Sequence, residues 1–121
     1  MNSARAINEN ISKDICVRII QKMIDKDMKI KSSDVLILGY TFKENCHDIR
    51  NTKVYDIYHE FIERYKCNVD IVDPWAYKED VKREYDIEIY NELIKDKKYD
   101  VIILAVSHED FKEIDLSKLK K

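Results

Sequence analysis

Lys43, Asp48 and Arg50 fall within one short polar run, Gly39-Tyr-Thr-Phe-Lys-Glu-Asn-Cys-His-Asp-Ile-Arg-Asn-Thr52, directly after the apolar residues Val35 to Leu38. Two cations flanking a carboxylate suit anion binding. An arginine grips phosphate or carboxylate through two parallel hydrogen bonds, and Asp48 is placed to hold that guanidinium in position. A helix beginning near Thr52 would add free backbone N–H groups and a favourable dipole. A solvated loop, with Lys43 paired to Glu44 and Arg50 to Asp48, accounts for the same residues, and both readings stand. Gly39 is the only glycine. Neither a Gly-x-Gly-x-x-Gly fingerprint nor a Walker loop is therefore present, and any phosphate must meet side chains and helix ends.

Other reactive residues carry less. Cys16, Cys46 and Cys67 are odd in number and widely spaced, with no Cys-x-x-Cys pair, as in reduced thiols of a cytoplasmic protein. Cys46, His47 and Asp48 are consecutive, whereas a nucleophile, its base and the base's orienter normally converge from distant parts of a chain. No catalytic residue is assigned. His59 has no partner histidine at metal spacing, so no metal site is assigned. His108 follows a buried run and is read as capping the next turn, and Trp75 as a packing plug beyond a strand. The eight tyrosines are scattered and form no nucleic-acid stacking platform.

These residues need a scaffold. An apolar run ending in glycine reads as a central strand whose carboxyl end turns sharply, the end at which open α/β sheets bind ligands. Ile7, Ile11, Ile15, Ile19 and Met23, with Ile20 and Ile24, predict a long amphipathic helix from Ala4 to Lys26, capped by Asn2 or Ser3. Its length of about 34 Å exceeds what a small domain needs and points to a subunit or domain interface. A helix over Thr52–Tyr65 follows, with Asn51 at the N-cap position. Asn68–Val72 reads as a strand stopped by Asp73-Pro74. Further along, Lys78–Tyr85 predicts a helix, Ile87–Tyr90 a short strand and Asn91–Lys95 another helical turn or two. Asp100–Val106 predicts a strand buried on both faces, and Phe111, Ile114, Leu116 and Leu119 predict terminal helical turns. Alternating strands and helices imply an α/β fold: a Rossmann-like three-layer α/β/α domain with a mostly parallel sheet, preceded by a long N-terminal helix.

Composition removes several alternatives. The chain has 121 residues, one domain's worth, and its 22 basic and 24 acidic residues nearly cancel. That balance argues against a nucleic-acid platform and a polybasic membrane surface. The longest apolar run, Val101–Val106, is far short of the ~20 residues of a membrane helix, and the first residues lack the apolar core of a secretory signal. A cytoplasmic protein is expected.

The segment from Gly39 to Lys53 closely resembles the Gly-x-x-Phe-Lys-x-x-x-x-Asp-x-Arg motif of the carboxyl-terminal domain of the UDP-glucose/GDP-mannose dehydrogenase family. Asp70-Ile-Val-Asp-Pro-Trp75 resembles the family's Tyr-Asp-Pro segment, and Asp100 to Phe111 its strand and following turn. Arg5-Ala-Ile-Asn8 resembles the start of the central helix that joins the family's two α/β domains. The wording around Glu44–Asp48 and Ala105–His108 is most similar to the branch acting on UDP-N-acetylhexosamines.

The resemblance implies a parent enzyme that oxidises the C6 alcohol of a UDP-sugar to the carboxylate in two hydride transfers to NAD, through a thioester on a catalytic cysteine, for surface polysaccharide synthesis. It implies that Phe42 and Lys43 contact the nucleotide-sugar, Lys43 near its phosphates, and that Arg50 reaches NAD. It divides the chain into residues 1–31, the end of a central dimerisation helix, and residues 32–121, a UDP-binding domain stopping before the family's last strand. The amino-terminal dehydrogenase domain, which carries the NAD fingerprint, would then be a missing partner, with the catalytic cysteine lying between that domain and the central helix, the assembly a homodimer, and this chain alone inactive. At His47 the related motifs usually carry proline, which implies a less rigid or differently shaped loop. The competing expectation is a catalytically inert oligomerisation or nucleotide-binding module.

Overall fold

A computed structural model describes the backbone from Ser3 to Lys121 and the side chains from Ile11 onward. The capping expectation for Asn2 or Ser3 and the burial expected for Ile7 lie outside the described residues. The chain folds into two compact units, one comprising residues 1–33 and 52–68 and the other residues 34–51 and 69–121.

In the first unit α1 (Ser3–Asp25) packs against α2 (Thr52–His59). The buried stripe of α1 is Ser12, Cys16, Ile20 and Met23, one turn apart along the helix. Ile20 and Met23 are buried as expected from spacing, whereas the rest of the expected isoleucine face is corrected: Ile11 and Ile24 are exposed and Ile15 and Ile19 half-buried. On α2, Val54 and Ile57 are buried, and the Cys16 thiol points to the Ile57 carbonyl at 4.0 Å. The helix widens into a π-helical turn, Glu60–Arg64, that buries Phe61 and closes with Tyr65 N–H donating to the Glu60 carbonyl at 3.3 Å. The predicted helix over Thr52–Tyr65 is therefore present, with its last turn expanded.

The second unit carries the sheet. β1 (Asp34–Leu38), β2 (Asn68–Val72) and β3 (Val101–Leu104) lie in the order β2-β1-β3. β1 and β3 run parallel, with Val35 opposite Val101 and Leu38 opposite Leu104. β1 is central, and Val35 to Leu38 are at most 1% exposed, as an uninterrupted apolar run requires. The expectation that β3 is buried on both faces is corrected: it flanks β1, its residues are half-buried and Leu104 is 54% exposed. Ile87–Tyr90 contributes one parallel bridge, Tyr90 to Val72, rather than a strand, and Asn91–Lys95 forms bends and a turn rather than a helix. Ile87 and Ile89 are nonetheless buried. α3 (Lys78–Tyr85) ends in a left-handed residue, Asp86 at φ 57°. The terminal segment makes two 3-10 turns, Glu109–Phe111 and Leu116–Lys118. Leu36, Leu38, Val72, Tyr99 and Phe111 form the core of this unit.

Candidate functional site

The carboxyl ends of the three strands meet around one carboxylate. Asp73, immediately after β2, is fully buried, and its two oxygens accept five hydrogen bonds. Oδ2 takes the backbone N–H of Tyr40 at 2.6 Å and of Thr41 at 3.0 Å, just past β1. It also lies 2.9 Å from Nε2 of His108, in the segment after β3. Oδ1 takes the N–H groups of Trp75 at 2.7 Å and Ala76 at 3.1 Å, folding the chain after β2 into a tight turn. A buried carboxylate is costly unless its lone pairs are filled, and here they are.

Gly39 makes this convergence possible. Its φ of 103° belongs to the region that disfavours side chains, and a Cβ there would stand 2.6 Å from Cβ of Val106. The Gly39 N–H donates to Val72 at 2.9 Å, while the Leu38 carbonyl receives the N–H groups of Ala105 and Val106. The glycine thus lets β1 turn against the segment that leads from β3 to His108.

His108 is fully buried and is shared by two loops. Its Nδ1 accepts the Asn45 backbone N–H at 2.8 Å, which fixes that nitrogen as the unprotonated one. Nε2 therefore carries the hydrogen, directed at Asp73 Oδ2 and at Thr41 Oγ1, each 2.9 Å away. The Thr41 hydroxyl in turn donates to the Lys43 carbonyl at 2.9 Å. Asn45 holds the left-handed conformation, φ 53°, that asparagine tolerates. Its side-chain oxygen accepts the Glu109 N–H at 3.1 Å. The reading of His108 as a side-chain cap is corrected: it stands at the N-cap position, but its ring turns toward the loop and caps nothing.

Above this base the loop presents Phe42, Lys43 and Arg50. Phe42 is 61% exposed although its N–H is tied to the Asp48 carbonyl at 2.6 Å. Lys43 is exposed and makes no ion pair among the described residues; the pairing with Glu44 considered from sequence is not formed. Arg50 and Asp48 do pair: Nε lies 3.0 and 3.2 Å from the two carboxylate oxygens and Nη2 2.7 Å from Oδ2. These hydrogen bonds, with further help from Lys43, hold the Asp48 carboxyl down at about 2. The Arg50 side chain remains 83% exposed. The Asn51 amide closes the loop by donating to the Thr41 carbonyl at 2.9 Å.

His47, where the resembling motifs usually carry proline, ties the loop to the turn after β2. Its Nδ1 donates to the Trp75 carbonyl at 2.6 Å, and its ring stacks on Tyr77 with centroids 4.9 Å apart. Trp75 is half-buried, lies near His108 with centroids 6.1 Å apart, and donates its indole N–H to Asp110 at 2.8 Å. That is the packing role expected of it. A depression in the first unit, lined by Lys13, Asp56, His59 and Glu60, mixes charges without a convergent donor set. No group of three metal-ligating side chains occurs among the described residues.

Phe42, Lys43 and Arg50 thus lie on one loop around Asp48: Phe42 through its N–H, Arg50 through its guanidinium and Lys43 through its charge. Asp73 and Asn45 were missed, and His108 was misread. The signal available for Asp73 and His108 was that each polar residue follows an apolar strand on the carboxyl side of the same parallel sheet.

Comparison with known proteins identifies the family of the chain. The UDP binding domain of the UDP-glucose/GDP-mannose dehydrogenase family matches residues 36–121. The UDP-N-acetyl-D-glucosamine 6-dehydrogenase of Salmonella typhi is 46% identical over 112 residues, covering 93% of this chain and 26% of its own length. The enzyme of the same name from Pseudomonas aeruginosa is 37% identical over 119 residues, covering 98% and 28%. Protein CapL of Staphylococcus aureus is 36% identical over 113 residues, covering 92% and 26%. The chain spans little more than a quarter of the length of the curated relatives it matches.

Solved structures agree on the Rossmann-like α/β fold. The NDP-N-acetyl-D-galactosaminuronic acid dehydrogenase of Methanosarcina mazei Go1 superposes with a TM-score of 0.78 at 19% identity, over 93% of this chain and 22% of that one. The UDP-D-ManNAc dehydrogenase of Pyrococcus horikoshii gives 0.75 at 20% identity, over 98% and 27%. The chain therefore belongs to the UDP-glucose/GDP-mannose dehydrogenase family, with residues 36–121 matching its UDP binding domain.

Proposed function

We propose that this domain forms the nucleotide-sugar wall of an NAD-dependent dehydrogenase that oxidises the C6 alcohol of a UDP-N-acetylhexosamine to the uronate, in surface polysaccharide synthesis. The observation that carries this reading is the loop from Gly39 to Thr52. It displays a lysine with no ion pair among the described residues and an arginine aligned by Asp48, at the carboxyl ends of a parallel sheet. The names of the Salmonella typhi and Pseudomonas aeruginosa relatives support the choice of sugar.

In this reading Lys43 meets the phosphates as a point charge, and the exposed ring of Phe42 packs on the nucleotide-sugar. Arg50 faces the cofactor. Its donor set fits that task, because Asp48 engages Nε and Nη2 and leaves Nη1 to donate to a phosphate. NAD, when bound in the complete enzyme, takes up the hydrides; this domain contributes positioning and charge. The reaction itself is assigned to a larger assembly in which a second α/β domain binds NAD and the catalytic cysteine lies between that domain and the central helix.

Titration calorimetry with UDP and UDP-N-acetylglucosamine on the wild type and Lys43→Ala tests the reading. A clear loss of affinity in the variant supports it, and equal weak binding by both proteins counts against it.

A second proposal concerns assembly. Val17 and Ile24, two turns apart on one face of α1, are 54% and 51% exposed, apolar positions suited to a homodimer contact. We assign residues 1–31 to that role. Monomeric sedimentation across a wide concentration range would remove it.

A further inference from the structure

The geometry points to Asp73 and His108 as positioning residues that set the nucleotide-binding loop before any ligand arrives. The inference rests on the proposed role of that loop and extends it to two buried side chains that would touch no ligand.

Lys43 and Phe42 are exposed and gain nothing from core packing, so their backbone must be fixed from beneath. Both ends of the segment Tyr40–Asn45 are fixed by the same pair. Asp73 Oδ2 takes the N–H groups of Tyr40 and Thr41, and His108 Nδ1 takes the N–H of Asn45. Between them the Thr41 hydroxyl reaches the Lys43 carbonyl. An imidazole accepts at Nδ1 only if its hydrogen stands on Nε2, and Asp73 supplies the acceptor that keeps it there. The carboxylate thus acts on Asn45 through the histidine. Asn45 also holds a positive φ, 53°, which the bonds to His108 and Glu109 maintain. Ordering the loop in advance removes an entropic cost from binding.

Two substitutions separate the ring's contacts. In His108→Asn the side-chain oxygen occupies roughly the place of Nδ1 and retains an acceptor for Asn45, whereas His108→Ala removes both contacts. Amide hydrogen exchange of the full chain reads the loop without any ligand, and calorimetry with UDP reads binding. In His108→Ala, exchange at Asn45 should accelerate by at least about tenfold and UDP affinity fall by about the same factor. His108→Asn should recover most of both. Unchanged exchange at Asn45 in a His108→Ala protein whose β1 amides stay protected would overturn the inference.

If His108→Ala does not fold, the wild type still decides. Nitrogen-15 shifts of the His108 ring must show Nδ1 unprotonated and Nε2 protonated, and the opposite tautomer overturns the inference. Failure of wild-type chain and Lys43→Ala to differ in UDP binding would instead sink the functional reading, leaving the exchange result to judge the loop.

Discussion

His108 Nε2 lies 2.9 Å from Asp73 Oδ2 with both side chains fully buried, and this contact joins the segments that follow β2 and β3 beneath the loop that follows β1. The contact belongs to packing, but its consequence belongs to function. It fixes the backbone under Phe42 and Lys43, which have no burial of their own.

Asp73→Asn should destabilise the chain by roughly 3 kcal/mol. Asparagine presents an NH2 where the carboxylate accepts five hydrogen bonds, and buried donors are left facing a donor. Urea unfolding followed by circular dichroism would register the shift in midpoint. A midpoint equal to wild type would show that the carboxylate is not needed as an acceptor.

Gly39→Ala should cost about 2 kcal/mol or more. Its φ of 103° penalises any Cβ, and the added carbon would lie 2.6 Å from the side chain and 2.7 Å from the backbone nitrogen of Val106. Thermal unfolding reads this directly, and Gly39→Ala should lower Tm far more than an alanine at the exposed position Glu44.

The Asp48–Arg50 pair should persist through the whole physiological range. Its carboxyl is held at about 2 in the folded chain against an ordinary 3.8, chiefly by hydrogen bonds from Arg50. A depressed carboxyl contributes stability above its unfolded value, and that contribution is lost as pH falls through the folded one. The window therefore runs from about 4 down to about 2. Carbon-detected NMR should place the Asp48 midpoint near 2 in the wild type and raise it in Arg50→Ala.

Thiol reactivity should divide the three cysteines. Cys46 is partly exposed, whereas Cys67 is buried and Cys16 has its thiol pushed up to about 12, first by desolvation and then by Glu60. Iodoacetamide at neutral pH should label Cys46 well before the other two, as peptide mass mapping would show. Because Cys16 holds its proton more tightly folded than unfolded, its contribution to stability is complete below about 9 and is lost as pH rises from there to about 12.

The elements that carry local signals were legible in the sequence. Val35–Leu38 ending in Gly39 gave a buried strand and a sharp turn, and both are present. Phe42, Lys43 and Arg50 came from a motif confined to one loop. β3 was misjudged because an unbroken β-branched run marks a strand but does not separate a central strand from a flanking one. The face of α1 was only partly legible, for a related reason. Isoleucines stand on two sides of that helix, and the choice of Ser12 and Cys16 beside Ile20 and Met23 is made by contact with α2, which spacing does not encode. Least legible was the contact of His108 with Asn45 and Asp73, residues far apart in the chain whose hydrogen bonds leave no periodic trace.

If the loop from Gly39 to Thr52 receives the nucleotide, titrating the nitrogen-15-labelled chain with UDP should map the site amide by amide. Saturable shifts are expected at Phe42, Lys43, Asn45 and Arg50, abolished by Lys43→Ala. Shifts confined to the depression around Lys13, Asp56 and His59, or the same loop shifts in Lys43→Ala, would contradict that placement of the nucleotide.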